Sequence, residues 1–277
     1  MSATAVSLAG SERRGAGRLR EAAYDSFAII QRNLIGLTRT PQLLVFSTIQ
    51  PVIFVLMFRY VFGGSINTKI PGVPYVDFLM PGIFIQTVVF GAMGTAIGLS
   101  TDLKSGLLER FRSLPMARSA VLVGRTGADV FRNVFVVILM ALVGFAVGFR
   151  VHTTLVSFVL GLLLVLLFGY ALSWVFATVG LLAGDPETAQ AISFPVLAPL
   201  VFASAAFVRV DSMPGWMQPF AGHQPVSITA SAVRALALGH LPGQPSTATL
   251  VLQSVAWCAA IVAVFAPIAV HRCRKVV

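Results

Sequence analysis

Residues 155–178 read LVSFVLGLLLVLLFGYALSWVFAT, twenty-four positions without an Asp, Glu, Lys or Arg. A helix needs about 20 apolar residues to cross the hydrocarbon core of a bilayer. This run is long enough, and in lipid only a helix or a closed barrel satisfies its backbone. Five further runs have similar character: 43–62, 78–100, 130–149, 191–208 and 250–270. The chain as a whole is 57% hydrophobic and 11% charged, whereas a soluble domain carries about a quarter charged residues. The expected fold is therefore an all-α integral membrane protein with six transmembrane helices. It forms one membrane domain over 1–277: a flexible tail at 1–17, an amphipathic helix at 18–41, a six-span bundle at 43–270 and a tail at 271–277.

The charge pattern orients this bundle. Fifteen of the twenty Lys and Arg lie before span one, between spans two and three, or in the tail after span six. Arg59, Lys69, Arg150, Arg209 and Arg234 make up the other side. Cytoplasmic loops carry the excess of basic residues, so both termini are expected in the cytoplasm, which an even number of spans permits. The net charge of +10 does not point to nucleic acid. The basic residues flank apolar runs and form no continuous basic face with interleaved aromatics. No apolar segment of signal-peptide type occupies the first forty residues. Cys258 and Cys273 have no metal-ligand spacing.

Two segments are expected not to span. In residues 18–41, Leu19, Ala23, Phe27, Ile30, Leu34 and Leu37 recur at spacings of three and four, with Arg20, Glu21, Asp25, Gln31 and Arg32 largely elsewhere on the wheel. That pattern predicts a helix lying on the cytoplasmic membrane surface, either as an anchor or as a contact surface. Residues 209–246 are rich in Pro and Gly. Within them, 225–238 predicts a short helix with Pro pre-set in its first turn. It is too short to cross, so a re-entrant or interfacial segment between spans five and six is expected. Trp216 and Phe220 suit an interfacial position.

The chemistry that is missing narrows the function. The sequence holds no GxxxxGK[ST] phosphate loop, no HExxH and no GxSxG. His152, His223, His240 and His271 all fall at span ends or in loops, where a lone histidine is a structural residue. No metal site and no catalytic residue is expected. Asp77, Asp129 and Arg132 are placed at span edges, leaving the interiors without the buried ionisable chain of a proton-driven carrier. Energy for uphill transport would then come from a partner. Ser47, Gln50, Gln86, Thr87, Asn133 and Ser193 are the polar residues left within or near spans, available to line a cavity or to bond between helices. Gly94/Gly98 and Gly144/Gly148 are small-residue pairs that let helices approach closely.

The loop at 106–125, GLLERFRSLPMARSAVLVGR, is more than a charged tether. Leu103, Leu107, Leu108, Phe111 and Leu114 fall on one helical stripe, with Glu109, Arg110 and Arg112 elsewhere. Pro115 ends that helix, because the residue before proline disfavours the α region. A second short segment at 121–125 returns to span three. The expectation is a rigid knob with an apolar ridge for affinity and arginines for register on another protein.

These features resemble the membrane subunit of type-2 ABC exporters, in their daunorubicin-resistance branch. The loop ERFRSLPMARSAVLVGR (109–125), the amphipathic helix before span one and MPGWMQPFAGHQPVSITASAVRALALG (213–239) carry the resemblance. Branch members often have Asn where this chain has His223 or Gln224. The resemblance implies a permease in the bacterial plasma membrane, paired with a second permease copy or a sister permease. Two cytoplasmic ABC ATPase subunits would hold ATP and Mg, and no cofactor would sit on this chain. It implies ATPase contacts at Arg32 of the amphipathic helix and at Leu107, Glu109, Arg110, Phe111, Arg112, Leu114, Pro115 and Arg118. Spans one, two and five would line a path through Gln50, Phe54, Phe84, Gln86, Phe90, Met93, Phe194 and Phe202. Trp216, Phe220, His223, Gln224 and Arg234 would form an outer gate. Substrates of the branch are lipophilic drugs, glycolipids or lipids, and membrane lipid is itself an expected partner. Polysaccharide or lipid-linked glycan export is the alternative, although a glycan path calls for a denser aromatic and acidic lining. An intramembrane enzyme lacks its catalytic pairs here, and a non-transporting scaffold would have no ATPase partner.

Overall fold

A computed structural model of the chain describes residue 31 and residues 41–61, 73–107, 118–241 and 243–276. Among the described residues every regular element is helical. The chain runs through α1 (Pro41–Leu56), which continues as a π-helical turn at Met57–Val61, then α2 (Tyr75–Lys104), α3 (Arg118–Val147) and α4 (Leu155–Ala183). There follow α5 (Pro186–Phe202), a 3₁₀ turn at Val210–Ser212, α6 (Gln218–His223), α7 (Pro225–Leu238) and α8 (Thr247–Val276).

Among the described residues, four helices are long and apolar enough to cross a membrane: Tyr75–Lys104, Leu122–Val147, Leu155–Ala183 and Thr247–Cys273. The first and fifth apolar runs form shorter helices. α5 has 17 residues, and Pro195 and Pro199 inside it each remove a backbone donor. Its start is well defined: the Thr188 amide donates to the Asp185 carboxylate at 2.9 Å. That hydrogen bond holds the exposed Asp185 carboxyl below its ordinary value. α1 carries Pro51 within it and loosens to π geometry before Val61.

α2 is the axis of the fold. Most of its residues from Tyr75 to Ser100 are buried, whereas α3, α5 and α8 each keep an apolar face outward. Phe131, Phe135, Ile138 and Leu142 on α3, and Leu252, Val264 and Ile268 on α8, are exposed large hydrophobics. Such faces are stable only against lipid or another apolar surface. α4 fits beside α2 because Gly169 and Gly180 bring the backbones close. A Cβ at Gly180 would come within 2.5 Å of the Ala96 carbonyl oxygen, and one at Gly169 within 2.9 Å of Val88 Cβ. α4 itself is capped by Thr154, which accepts the Ser157 amide, and is ended by Gly184 at φ 76°.

Two local expectations change. The stripe from Leu103 to Leu114 is not one helix, since α2 ends at Lys104 and Gly106 turns the chain at φ 69°. Glycine adopts that left-handed conformation without steric cost. The segment 121–125 is not a separate element either. It belongs to α3, which starts at Arg118 and meets no proline before Val147.

Candidate functional site

The early start of α3 relocates its charged residues. Asp129 and Arg132 both lie on α3, which begins at Arg118. Ionisable residues within a membrane helix are costly and face the protein interior or a cavity. Both do so here. Arg132 donates from Nη2 to the Gly91 carbonyl, and its Nη1 lies 3.4 Å from Asp129 Oδ1. Asp129 accepts the Thr95 hydroxyl on its other oxygen at 2.6 Å. About two turns closer to the Lys104 end of α2, Arg125 Nη1 pairs with Asp102 Oδ2 at 3.4 Å.

The glycines of α2 make this arrangement possible. A Cβ at Gly94 would stand 2.7 Å from Arg132 Nη1, and a Cβ at Gly98 would overlap the Arg125 guanidinium. A Cβ at Gly91 would meet Asn133 Oδ1 at 2.8 Å. Gly91, Gly94 and Gly98 thus form a track into which α3 lays polar side chains. The Gly94/Gly98 pair seats arginines within the chain.

Above this track lies a cavity of about 210 Å³ between α1, α2 and α3. Gln50, Gln86, Phe90, Met93, Arg132 and Asn133 are among its lining residues. Gln86 and Asn133 are buried, and Gln86 Oε1 has no hydrogen-bond partner among the described residues. Of the eight expected path residues, four therefore meet here: Gln50, Gln86, Phe90 and Met93. Phe54 and Phe202 join a different group, stacking with Phe58 and Phe207; the Phe58 and Phe207 centroids are 5.1 Å apart. Phe84 is fully buried against Phe149 and Phe158, on the far side of α2 from the cavity. Phe194 is exposed on α5. The eight do not form one continuous lining within the chain.

The segment after α5 is fastened tightly to α2. Arg234, 1% exposed, donates Nε to the Phe78 carbonyl at 3.0 Å and Nη2 to the Ala205 and Ala206 carbonyls at 3.0 and 3.2 Å. Its guanidinium also lies 3.7 Å from the Phe78 ring centroid. The Ala206 backbone rests on Gly82, where a Cβ would collide with its carbonyl. Ser227 accepts the Ala205 amide, Gln224 donates to the Ala203 carbonyl, and the Tyr75 hydroxyl donates to the Phe207 carbonyl.

The turn between α3 and α4 completes the assembly. Asp77, 1% exposed, accepts the Arg150 amide at 2.9 Å and pairs with His152 Nε2 at 2.8 Å. Thr153 bonds the Leu236 and Ala237 carbonyls at the end of α7. A second cavity, about 550 Å³, opens beside this region, with Arg209, Asp211, His223, Ser231, Arg234 and Gln244 in its wall. His223 and Arg234 of the expected gate meet there. Trp216 and Phe220 are exposed and stand outside it.

The expected ATPase contacts Arg32, Glu109, Arg110, Phe111, Arg112, Leu114 and Pro115 lie outside the described residues. Leu107 follows the Gly106 turn, and Arg118 opens α3. No group of three His, Cys, Asp or Glu that would hold a metal occurs among the described residues. Sequence reasoning missed the Asp77–His152 and Asp102–Arg125 pairs, whose members lie 75 and 23 positions apart. The one available signal was that each partner flanks an apolar run.

Residues 24–238 match the ABC-2 type transporter family. The chain is 35% identical over 246 residues to the daunorubicin resistance ABC transporter permease protein DrrB1 of Streptomyces coeruleorubidus, covering 88% of this chain and 84% of that protein. It is 28% identical over 195 residues to the probable doxorubicin resistance ABC transporter permease protein DrrC of Mycobacterium tuberculosis, 70% and 69% of the two chains. It is 25% identical over 216 residues to the putative transport permease ycf38 of Cyanophora paradoxa, 76% and 73% of the two chains.

Proposed function

The chain belongs to the ABC-2 type transporter family, and on that premise we propose that it is the permease subunit of an ATP-driven exporter of lipophilic drugs. It is a multi-pass transport subunit of the plasma membrane and not an enzyme. ATP is hydrolysed on a separate ABC ATPase subunit, and the family implies a sister permease beside it. The observation that carries the drug reading is the relationship to daunorubicin and doxorubicin resistance permeases over most of the chain. The cavity at Gln86 and Arg132, about 210 Å³, is polar on one wall and apolar on the other.

The finer reading follows from the same premise. α1 and α5 complete a six-span bundle, α1 by starting at Pro41 and α5 by a kinked, prolined path. α6 and α7 form a re-entrant segment at the outer face, and both termini lie in the cytoplasm. The ATPase, in two copies with ATP and Mg, engages the loop at Glu109–Arg118 and the amphipathic helix at 18–41. Two permeases join so that α1, α2 and α5 face one another. Exposed Phe194 and Phe202 would then line the path from both sides, which their place on the surface of a single chain supports. Lipids and glycolipids are further candidate cargo.

The test is purification from the native membrane in mild detergent, after crosslinking in the intact membrane. A stoichiometric nucleotide-binding ATPase, lost in Glu109→Ala/Arg112→Ala, is the expected result. A preparation without any ATPase would overturn the assignment.

A further inference from the structure

Arg234 is 1% exposed, yet the fold does not use all of its nitrogens. Nε and Nη2 donate to the carbonyls of Phe78, Ala205 and Ala206. Nη1 forms no hydrogen bond among the described residues. It is also not one of the partnerless polar atoms sealed from water there, which are Gln86 Oε1, Trp174 Nε1, Gln224 Oε1 and Gln244 Oε1. Nη1 therefore meets open space, and the space that Arg234 borders is the cavity of about 550 Å³. That volume falls within the roughly 300–1,000 Å³ of ligand sites.

The charge of this cavity is not balanced. Asp211 is the one acid in its wall, and it holds Arg209 through both oxygens, at 3.0 and 2.8 Å. Those two charges cancel. Among the described residues no carboxylate pairs with Arg234, and a buried cation without a counter-ion is costly. Ser231, one turn before Arg234 on α7, and Gln253 on α8 bring a hydroxyl and an amide to the same wall.

The cavity continues sideways. His223, Ile228 and Gln253 also wall a groove of about 490 Å³ that runs on past Ala256, Trp257 and Ala260. Those α8 positions recur at helical spacing, so they share one face, and all are exposed. The groove follows α8 for about 10 Å from Gln253 to Ala260. α8 is long and apolar enough to cross a membrane. The groove thus leads from the polar cavity near the Thr247 end of α8 toward the hydrocarbon core.

We propose that cavity and groove together bind one anionic phospholipid of the surrounding bilayer. Its phosphodiester accepts hydrogen bonds from Arg234 Nη1, Ser231 and Gln253, and supplies the counter-ion that Arg234 lacks. One acyl chain lies along Ala256, Trp257 and Ala260. A zwitterionic head would bring its own cation into a cavity whose one acid is already paired. The site goes beyond the exporter reading and requires only that the chain spans a membrane.

Quenching of Trp257 by chain-brominated phospholipid tests it. The full-length chain is placed in phosphatidylcholine nanodiscs, and the Trp257 signal is isolated by difference from Trp257→Phe. Brominated phosphatidylglycerol should reach half-quenching at about a tenfold lower mole fraction than brominated phosphatidylcholine, the size of a hydrogen-bonded charge contact. Gln253→Glu places a carboxylate at the exposed mouth and should erase that preference while leaving the phosphatidylcholine curve unchanged. Ala248→Glu adds the same charge on an exposed position outside the cavity wall and should keep the preference. Equal quenching by the two lipids would overturn the proposal, as would an unchanged preference in Gln253→Glu. Equal loss in both variants would reduce the effect to diffuse surface charge and overturn it too. Inorganic phosphate, added against chloride of matched ionic strength, should not restore the fluorescence. Full restoration would give the cavity to a soluble anion and remove the lipid.

Discussion

The guanidinium of Arg125 occupies the space in which a Cβ on Gly98 would stand. Gly98 is therefore a seat for a cation that lies within the helix bundle and pairs with Asp102 on α2. Gly98→Val should expel Arg125 and strain the α2–α3 contact, at a cost of about 1–3 kcal/mol, the range for overpacked cores. The thermal midpoint of the purified protein should fall, and Arg125→Ala in the same chain should recover part of the loss. Additive effects of the two changes would refute the seating.

Arg234 answers three backbone carbonyls at once. Arg234→Met leaves those carbonyls without their donor, which costs roughly 1–3 kcal/mol for the unsatisfied group. Arg234→Lys should rescue little, because an ammonium cannot reproduce the planar fork. Unfolding in detergent followed by circular dichroism reads both variants, and a stable Arg234→Met would show that the region is held by packing alone.

Asp77 binds the turn between α3 and α4 through the Arg150 amide and His152. Asp77→Ala should loosen that turn, with a loss of about 1.5–3 kcal/mol, as for hydrogen bonds to a charged group. Asp77→Asn keeps an acceptor for the amide and should lose less. Limited proteolysis between Phe149 and Leu155 is the measurement. Identical cleavage of wild type and Asp77→Ala would dismiss the anchor.

Glu109→Ala and Pro115→Ala should separate ATP use from export. ATPase activity of the complex should persist while export of doxorubicin falls about tenfold or more, the size expected when charge-assisted contacts that set register are lost. Full export by both variants would discard the coupling role of this loop.

Much of the fold was legible because apolar runs and proline positions act locally. The α4 run reads as one uninterrupted helix, and Pro225 marks the first turn of α7 in both sequence and structure. The start of α3 was less legible. Arg118 and Arg125 look like loop charges, yet they ride on one helix with Arg132, and glycines on α2 receive Arg125 and Arg132. That relationship crosses between helices, so no spacing within either one encodes it. The candidate site divides the same way. Gln86 and Asn133 were visible as polar residues among apolar ones, but only the packing of α2 on α3 brings them to one cavity with Arg132. Phe84 carried no mark distinguishing it from Phe90, and helix rotation alone sends it into the Phe149–Phe158 core.

The clasp of Arg234 on Phe78, Ala205 and Ala206, with the Ala206 backbone seated on Gly82, has a mechanical consequence. α2 is 30 residues long, about 45 Å at 1.5 Å per residue. Its Tyr75 end is joined to α7 and to the chain after α5, so those parts travel with it as one body. A tilt applied at the Lys104 end would carry those parts with it. α2 works as a lever, its far arm already bolted to the piece it has to swing.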